Sequence, residues 1–345
     1  MTTYKAVVVG CGGRTPPHID AYQYIPNVEV VACCARTAAT REPVAKKYNL
    51  KEYDDIEKMI KAEKPDIVHM VIRPDDRVGR MGLISKLGVP MCTVEKPIAT
   101  HVRDWQELVK LEAQSDTKFG ICHQFRWQPH MVKCREALQS GTLGEVKFLD
   151  FSAGMNISGQ GTHVLNYGMS MNGDSPVTRV FGAASGTEMT DTVHPAPDST
   201  VGYLTFENGV RGLWNNGPTA LKTGDPTTIW QHVRVAAFAD RGRVNYEEFG
   251  KWEIVAPNGT ESGDFGDSET WMANNIRAQA GFHQAMIDWH EDDDRVCGTS
   301  LKQSLHEWSV VLALYQSALE RRHIEMAEFD PPEDLFDQLL TTLGK

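Results

Sequence analysis

The chain has 345 residues, 41% of them hydrophobic and 23% charged, with a formal net charge of −11. That is an ordinary soluble composition, long enough for roughly two domains and a large core. The acidic balance argues against nucleic acid or an anionic membrane as a partner, and no apolar run reaches the ~18 residues that span a bilayer.

The seven cysteines are Cys11, Cys33, Cys34, Cys92, Cys122, Cys134 and Cys297, and they form no C-x-x-C pair. An odd count without ligand spacing reads as a reduced, cytoplasmic protein with no metal site. Thiols inside apolar runs read as small core residues. The N-terminal apolar run stops early at glycines, as a strand does and a signal peptide does not.

Residues 6–9 enter Gly10-Cys11-Gly12-Gly13-Arg14-Thr15, followed by Pro16-Pro17-His18 and a helical pattern from Ile19. Strand, glycine turn and helix start make half of a dinucleotide-binding unit. Glycines let the backbone approach a pyrophosphate, and a helix N-terminus offers free N–H groups. Gly10, Gly12, Gly13, Arg14 and Thr15 are the candidate contacts, with Thr15 standing at the third glycine position. The next strand, residues 28–34, leads into Ala35-Arg36, where an NAD site usually has a carboxylate. A small residue followed by an arginine accepts a 2′-phosphate, because guanidinium binds phosphate bidentately. Arg36, Thr37 and Arg41 therefore favour NADP. Arg36 stacked on adenine would leave NAD possible.

Helices are expected at 41–48 and near 55–62, and a strand at 66–72. This rhythm predicts a parallel sheet with right-handed crossovers. Arg73 and Pro74 follow at a strand end, under the cofactor. A helix at 78–87, a strand at 89–94, a helix at 103–113 and a strand at 118–122 complete the unit. The strand at 89–94 stops at Glu95-Lys96-Pro97. Chemistry in open α/β sheets sits where strands end. Lys96, flanked by a carboxylate and a proline, is thus a candidate proton donor. Read alone, it would be a solvated Lys-Pro turn.

The glycine turn, Glu95-Lys96-Pro97, and the strand leading into His123-Gln124-Phe125-Arg126-Trp127-Gln128-Pro129 together resemble the glucose–fructose oxidoreductase and inositol dehydrogenase family, often written Gfo/Idh/MocA. The resemblance covers nearly the whole chain. It implies an α/β fold with two domains. Residues 1–122 would be a nicotinamide-binding Rossmann domain. Residues 123–345 would bind substrate and form oligomers through a large open, mostly antiparallel sheet. The implied chemistry is hydride transfer between a sugar, cyclitol or related polyol and a nicotinamide that often stays bound. The His123–Pro129 stretch matches the family's N-x-R-x-x-P turn, with Gln124 replacing its asparagine. Gln124 there would contact the cofactor, and His123 and Arg126 the substrate. The alternative is a hydrogen-bonded hinge.

A helix at 130–140 ends at Gly141, and residues 146–152 alternate like a half-buried strand. Ser158-Gly159-Gln160-Gly161-Thr162-His163-Val164-Leu165-Asn166 then resembles the family's D-x-G-x-H-x-x-D motif, whose histidine is a substrate-facing acid/base. His163 matches that histidine, while Gly159 and Asn166 replace the two aspartates. Lys96 and His163 are the catalytic candidates. Lys96, His123, Arg126, Gln160, His163 and Asn166 are the substrate-binding candidates. Strands are expected at 199–206, 210–215, 229–238, 244–246 and 252–256, with Asn208-Gly209 a tight hairpin. The loops at 189–198, with His194, and at 218–228 would shape specificity. His194 and His232 read as ordinary polar residues more than as contacts. Amphipathic helices are expected at 272–289 and 300–321. The acidic run Glu291–Asp294 between them reads as a solvated turn, and the tail after Phe329 as a surface wrap.

The implied mechanism removes a hydroxyl proton at His163 as the hydride leaves, with Lys96 stabilising the alkoxide. Two alternatives stand beside it. One is a redox-neutral glycoside hydrolase or lyase that oxidises its substrate transiently at C3. The other is a non-catalytic nucleotide-binding regulator, against which intact Lys96 and His163 argue.

Overall fold

The structure is a computed structural model and describes residues 3–223, 229–266 and 268–345. The chain divides into two compact units. The first takes Met1–Ile98, Gln106–Trp127 and Asn275–Ser304; the second takes Ala99–Trp105, Gln128–Asn274 and Leu305–Lys345. This differs from a single cut after residue 122, because Phe282, Met286, Ile287 and Cys297 share one core cluster with Tyr4, Ala6, Ile67 and Met91.

The first unit holds a six-stranded parallel sheet: β1 Tyr4–Val9, β2 Val28–Cys34, β3 Lys51–Tyr53, β4 Ile67–Met70, β5 Met91–Val94 and β6 Lys118–Ile121. Its order is β3-β2-β1-β4-β5-β6. Strands β4 and β5 are buried along their whole length, as central parallel strands covered on both faces must be. The order reverses between β1 and β4, and ligands of such sheets bind at that switch point. The helices are α1 Thr15–Asp20, α2 Ala38–Tyr48, α3 Ile56–Glu63, α4 Arg77–Lys86 and α5 Val102–Gln114. Helix α3 shows the local logic. Asp55 caps it by accepting from the Lys58 N–H at 2.8 Å, and Ile56, Met59 and Ile60 form its buried stripe. Helix α1 is shorter than the pattern from Ile19 suggests. It begins at Thr15 and passes into a 3-10 turn, Ala21–Tyr24.

The second unit is built on nine strands: β7 Val146–Ala153, β8 Val177–Ser185, β9 Ser199–Phe206, β10 Arg211–Asn216, β11 Val233–Ala239, β12 Gly242–Glu247, β13 Lys251–Ala256, β14 Gly259–Asp264 and β15 Ile324–Glu325. Their order is β14-β13-β12-β11-β7-β10-β9-β8-β15. Every pairing is antiparallel except β7 with β10. The remaining helices are α6 Pro129–Gln139, α7 Thr162–Met171, α8 Ser268–Glu291, α9 Leu301–Glu320 and α10 Leu335–Leu343. One sheet face is buried through Leu149, Phe151, Leu204, Trp214, Val235 and Tyr246. Gly182 and Gly202 face each other across β8 and β9 and let Leu314 of α9 come close; a Cβ at either would lie 2.6 or 2.9 Å from its side chain. The other face leaves Phe181, Tyr203, Leu213 and Phe238 exposed. Register sets Phe181 opposite Tyr203, and Tyr203 opposite Leu213.

Several elements depart from expectation. The strand expected at 229–238 begins at Val233, after a 3-10 turn Ile229–Gln231. Within the loop at 218–228, residues 224–228 lie outside the described residues. The tail forms α10, which buries Leu335 and Leu339. No helix among the described residues is long and apolar enough to cross a membrane.

Gly10 adopts φ +95°, and a Cβ there would lie 2.1 Å from the Val71 carbonyl oxygen. Around Gly12 the same atom would meet nothing within 4 Å. Gly10→Ala is therefore expected to cost at least ~2 kcal/mol, and Gly12→Ala to stay within about 0.5 kcal/mol. Urea unfolding of the two variants checks the contrast.

Candidate functional site

The sheet of the first unit brings the expected cofactor residues to its strand ends. Past β1, the Gly10 N–H donates to the Cys34 carbonyl at 2.8 Å, which ties the glycine turn to the end of β2. The buried Thr15 hydroxyl donates back to the Gly10 carbonyl at 2.9 Å, so it braces the turn from the third glycine position. Gly12 and Gly13 are exposed. Arg36 and Thr37 are exposed past the end of β2, and the Thr37 and Thr40 hydroxyls lie 2.8 Å apart. Arg41 is held in place. It donates to the Ala35 carbonyl and pairs with Glu52 at 3.5 Å. Arg73 and Pro74 follow β4, with Arg73 exposed beside Asp75 and Pro74 buried.

At the end of β5, Arg77 of α4 pins the Glu95-Lys96-Pro97 turn. Its buried guanidinium donates to the carbonyls of Ile72 (2.8 Å), Lys96 (3.2 Å) and Pro97. The Lys96–Pro97 peptide is cis. Burial pushes the Glu95 carboxyl up. The His18 hydrogen bond, with the charges of Arg14 and Lys96, outweighs that and holds it far below the usual carboxylate range. Lys96 is pulled below the ordinary lysine value by lost hydration, against the attraction of Glu95. The pair is a buried anion beside a cation that gives up its proton more readily than a surface lysine.

Behind this turn lies a buried network that the sequence reading does not assign. His18 Nε2 lies 3.0 Å from Glu95 Oε1, and His18 Nδ1 lies 3.3 Å from His283 Nε2. His69 Nδ1 meets the Thr93 hydroxyl and its Nε2 the Tyr22 hydroxyl, both at 2.6 Å. The His69 and His283 rings stack with centroids 4.4 Å apart. One nitrogen from each of His18, His69 and His283 falls within 4.8 Å of the others, a spacing that a metal ion could bridge. Both His69 nitrogens are already engaged, so the cluster works as a hydrogen-bond network. Its sequence signal is His69 at the centre of an otherwise apolar strand, where an imidazole needs partners.

The turn after β6 is packed. Gln124 accepts from the Cys122 thiol at 3.4 Å and donates to Asn275 Oδ1 at 3.5 Å. His123 is buried, and the buried Arg126 guanidinium lies against Gly298.

In the second unit, the π-helical turn Ile157–Gly161 runs into α7. Single π-turns recur at functional sites. Asn156 caps the turn. It accepts from the Gly159 N–H at 2.7 Å and donates to the His194 carbonyl at 3.1 Å. A Cβ at Gly159 would lie 2.9 Å from Asn156 Oδ1, so the cap crowds the position where the family has an aspartate. Buried His163 lies one turn before Tyr167, its Nδ1 3.2 Å from that hydroxyl. Gln160 donates to the Trp230 carbonyl at 2.6 Å. Ser158 Oγ, Gln160 Oε1, Thr162 Oγ1 and Asn216 Oδ1 are buried with no hydrogen-bond partner among the described residues. Native proteins rarely leave such atoms unmet, and ligand hydroxyls would meet them. Asn166 points elsewhere. Its Nδ2 donates to Glu307 of α9 at 2.6 Å. His232 accepts from the Thr223 N–H at 3.1 Å, as a loop-bracing residue does.

Both sheets are those of an NAD-binding oxidoreductase fold. Residues 4–123 match the family model described as an oxidoreductase family with NAD-binding Rossmann fold, GFO_IDH_MocA. Over those residues the chain is similar to the Gfo/Idh/MocA family. It is 24% identical over 228 residues to a D-apiose dehydrogenase from Paraburkholderia graminis, covering 61% of this chain and 59% of that protein. It is 22% identical over 351 residues to a D-apiose dehydrogenase from Rhizobium rhizogenes, covering 94% of this chain and 98% of that protein. The solved structure of an oxidoreductase from Agrobacterium radiobacter, in complex with NAD+, L-tartaric acid and magnesium, shares the fold with a TM-score of 0.79. Its identity is 18%, over 94% of this chain and 99% of that one.

The buried imidazoles set a pH dependence. Burial, and then the neighbouring imidazoles, hold His69 and His283 well below the ordinary histidine value. Unfolded, both take a proton as the pH drops below about 6.5. The unfolded state then binds more protons, so stability falls with acid by up to ~1.4 kcal/mol per pH unit for each histidine. His130 in the second unit, pushed down to about 4 by burial, adds to the trend. Urea unfolding at pH 7 and at pH 5 should show the loss, with a shallower slope in His283→Gln.

Proposed function

We propose that this protein is an NAD(P)-dependent oxidoreductase that moves a hydride between a sugar, cyclitol or related polyol and a nicotinamide cofactor. The observation that carries the reading is the Glu95–Lys96 pair, desolvated at a strand end in the same sheet as the glycine turn. The backbone at Gly10, Gly12 and Gly13, with Arg14 and Thr15, would hold the pyrophosphate. Arg73 and Pro74 would line the cofactor, with Glu95 and Gln124 beyond them. When bound, the nicotinamide supplies the hydride acceptor or donor. Lys96 bonds the reacting hydroxyl and stabilises the alkoxide as it forms. His163 takes the hydroxyl proton as general base. The four unmet polar atoms around the π-turn favour a polyhydroxylated ligand, as does D-apiose dehydrogenation in the two relatives. His123, Arg126, Gln160 and Asn166 would hold the substrate beside them.

NADP is the favoured cofactor, because Arg36 is exposed at the end of β2, where the ribose of such sites lies. The first unit would serve the nucleotide. The second would serve the substrate and homo-oligomer formation. All seven cysteines carry free thiols, which suits a reducing cytoplasmic setting.

The test is nicotinamide reduction with NADP or NAD against a panel of sugars, cyclitols and glycosides, with the organic products followed in parallel. Lys96→Ala and His163→Ala should each lower kcat by about 10²- to 10⁴-fold. Arg36→Ala should weaken NADP far more than NAD. The crowded Gly159 position, lacking the family carboxylate, favours one second reading: redox-neutral glycoside cleavage through a 3-keto sugar. It would show as cleavage without net reduction. Full function in the Lys96→Ala, His163→Ala double variant would leave the regulator reading.

The exposed row Phe181, Tyr203 and Leu213 is the proposed contact between copies of the chain. Light scattering should give a mass above the monomer, and Tyr203→Arg should lower it. A monomeric parent protein would end this part of the reading.

A further inference from the structure

We propose that His18 is a positioning residue: backed by Gln279, it holds Glu95 as a hydrogen-bonded anion and so keeps Lys96 oriented for proton transfer. This rests on the function proposed above, and it assigns a task to a network that the proposed reaction leaves unused.

The contacts argue for Nε2 as the nitrogen that carries the proton. Gln279 is fully buried in α8, and its Oε1 lies 3.4 Å from the Cys122 thiol, whose one hydrogen it shares with Gln124 Oε1. Burial pushes that thiol up, so it keeps its proton and remains a donor. The amide nitrogen of Gln279 therefore faces the imidazoles, 3.4 Å from His18 Nδ1 and 3.0 Å from His283 Nε2. Either this amide or His283 Nε2, 3.3 Å away, donates to His18 Nδ1. His18 Nδ1 is thereby an acceptor, and the His18 proton lies on Nε2, 3.0 Å from Glu95 Oε1. The arrangement has the logic of a base oriented by a third group, with a carboxylate as the group being held.

Other charged and titratable groups face Glu95. Arg14 Nε reaches the same Oε1 at 3.6 Å from the glycine turn, Lys96 follows in the chain, and Cys122 and Arg77 act from just past β6 and from α4. Of these, His18 has the short contact to a nearly fully buried carboxylate. Without that donor, the nearby charges alone oppose burial, and Glu95 takes a proton at a higher pH.

Two substitutions separate positioning from packing. Glutamine puts its amide nitrogen near the place of imidazole Nε2, and asparagine near the place of Nδ1. His18→Gln keeps the donor to Glu95, and His18→Asn loses it. In the nicotinamide-reduction assay, His18→Gln should stay within about 5-fold of the parent kcat/KM with the same pH profile. His18→Asn should lose roughly 10- to 100-fold, the scale of one charge-assisted hydrogen bond, and its acid limb should move to higher pH. Equal losses in both variants with unmoved limbs would overturn the proposal. The tautomer is read separately by ¹⁵N NMR of histidine-labelled protein, where a proton on His18 Nδ1 would also overturn it. A parent protein that reduces nicotinamide with no panel substrate counts against the proposed function, and the NMR result still decides the tautomer.

Discussion

Glu95 is buried and charged, and the first unit is arranged to make that tolerable. A carboxylate taken out of water loses several kcal/mol of hydration that only close partners offset. Two of its partners come from far away in the sequence, His18 from α1 and Arg14 from the glycine turn, and Lys96 is the next residue. The charge thus ties the end of β5 to the start of the nucleotide-binding unit. Arg77 works beside it by gathering three carbonyls, which leaves the backbone of the Glu95-Lys96-Pro97 turn little freedom. Pre-ordered groups of this kind are what hydride transfer needs from a protein, because the cofactor carries the redox chemistry itself.

The second unit reaches order by a different route. Its turn before α7 is irregular, and the Asn156 side chain caps it by accepting from the Gly159 N–H, one of the donors that the first turn of a helix leaves unmet. That cap also crowds the space beside Gly159.

Much of this was legible in the residues. The parallel sheet followed from apolar runs that end at glycine or charge, and β2 and β9 fall at their expected bounds. Strand β14, GTESGD, was not legible, because a polar edge strand has no apolar alternation to read. Helix α10 was not legible either, because Pro331-Pro332 reads as the start of an irregular tail and the helix has only a short apolar stripe in Leu335 and Leu339. At the candidate site, the glycine turn, Lys96 and His163 carried motifs. His18, His69, His283, Arg77 and Gln279 carried none. Their roles depend on residues far away in the chain meeting in three dimensions, and spacing along a sequence holds no record of that.

Residues 275–304 lie far along the chain, yet they belong to the first unit. Phe282, Met286 and Ile287 cover the core that Tyr4, Ala6, Ile67 and Met91 begin. During synthesis the N-terminal strands must therefore wait, apolar side open, until most of the chain has left the ribosome. Closing contacts at such separation is slow and leaves sticky surface exposed meanwhile. A gene fragment ending at residue 127 would encode every strand of the parallel sheet and still lack one of its walls.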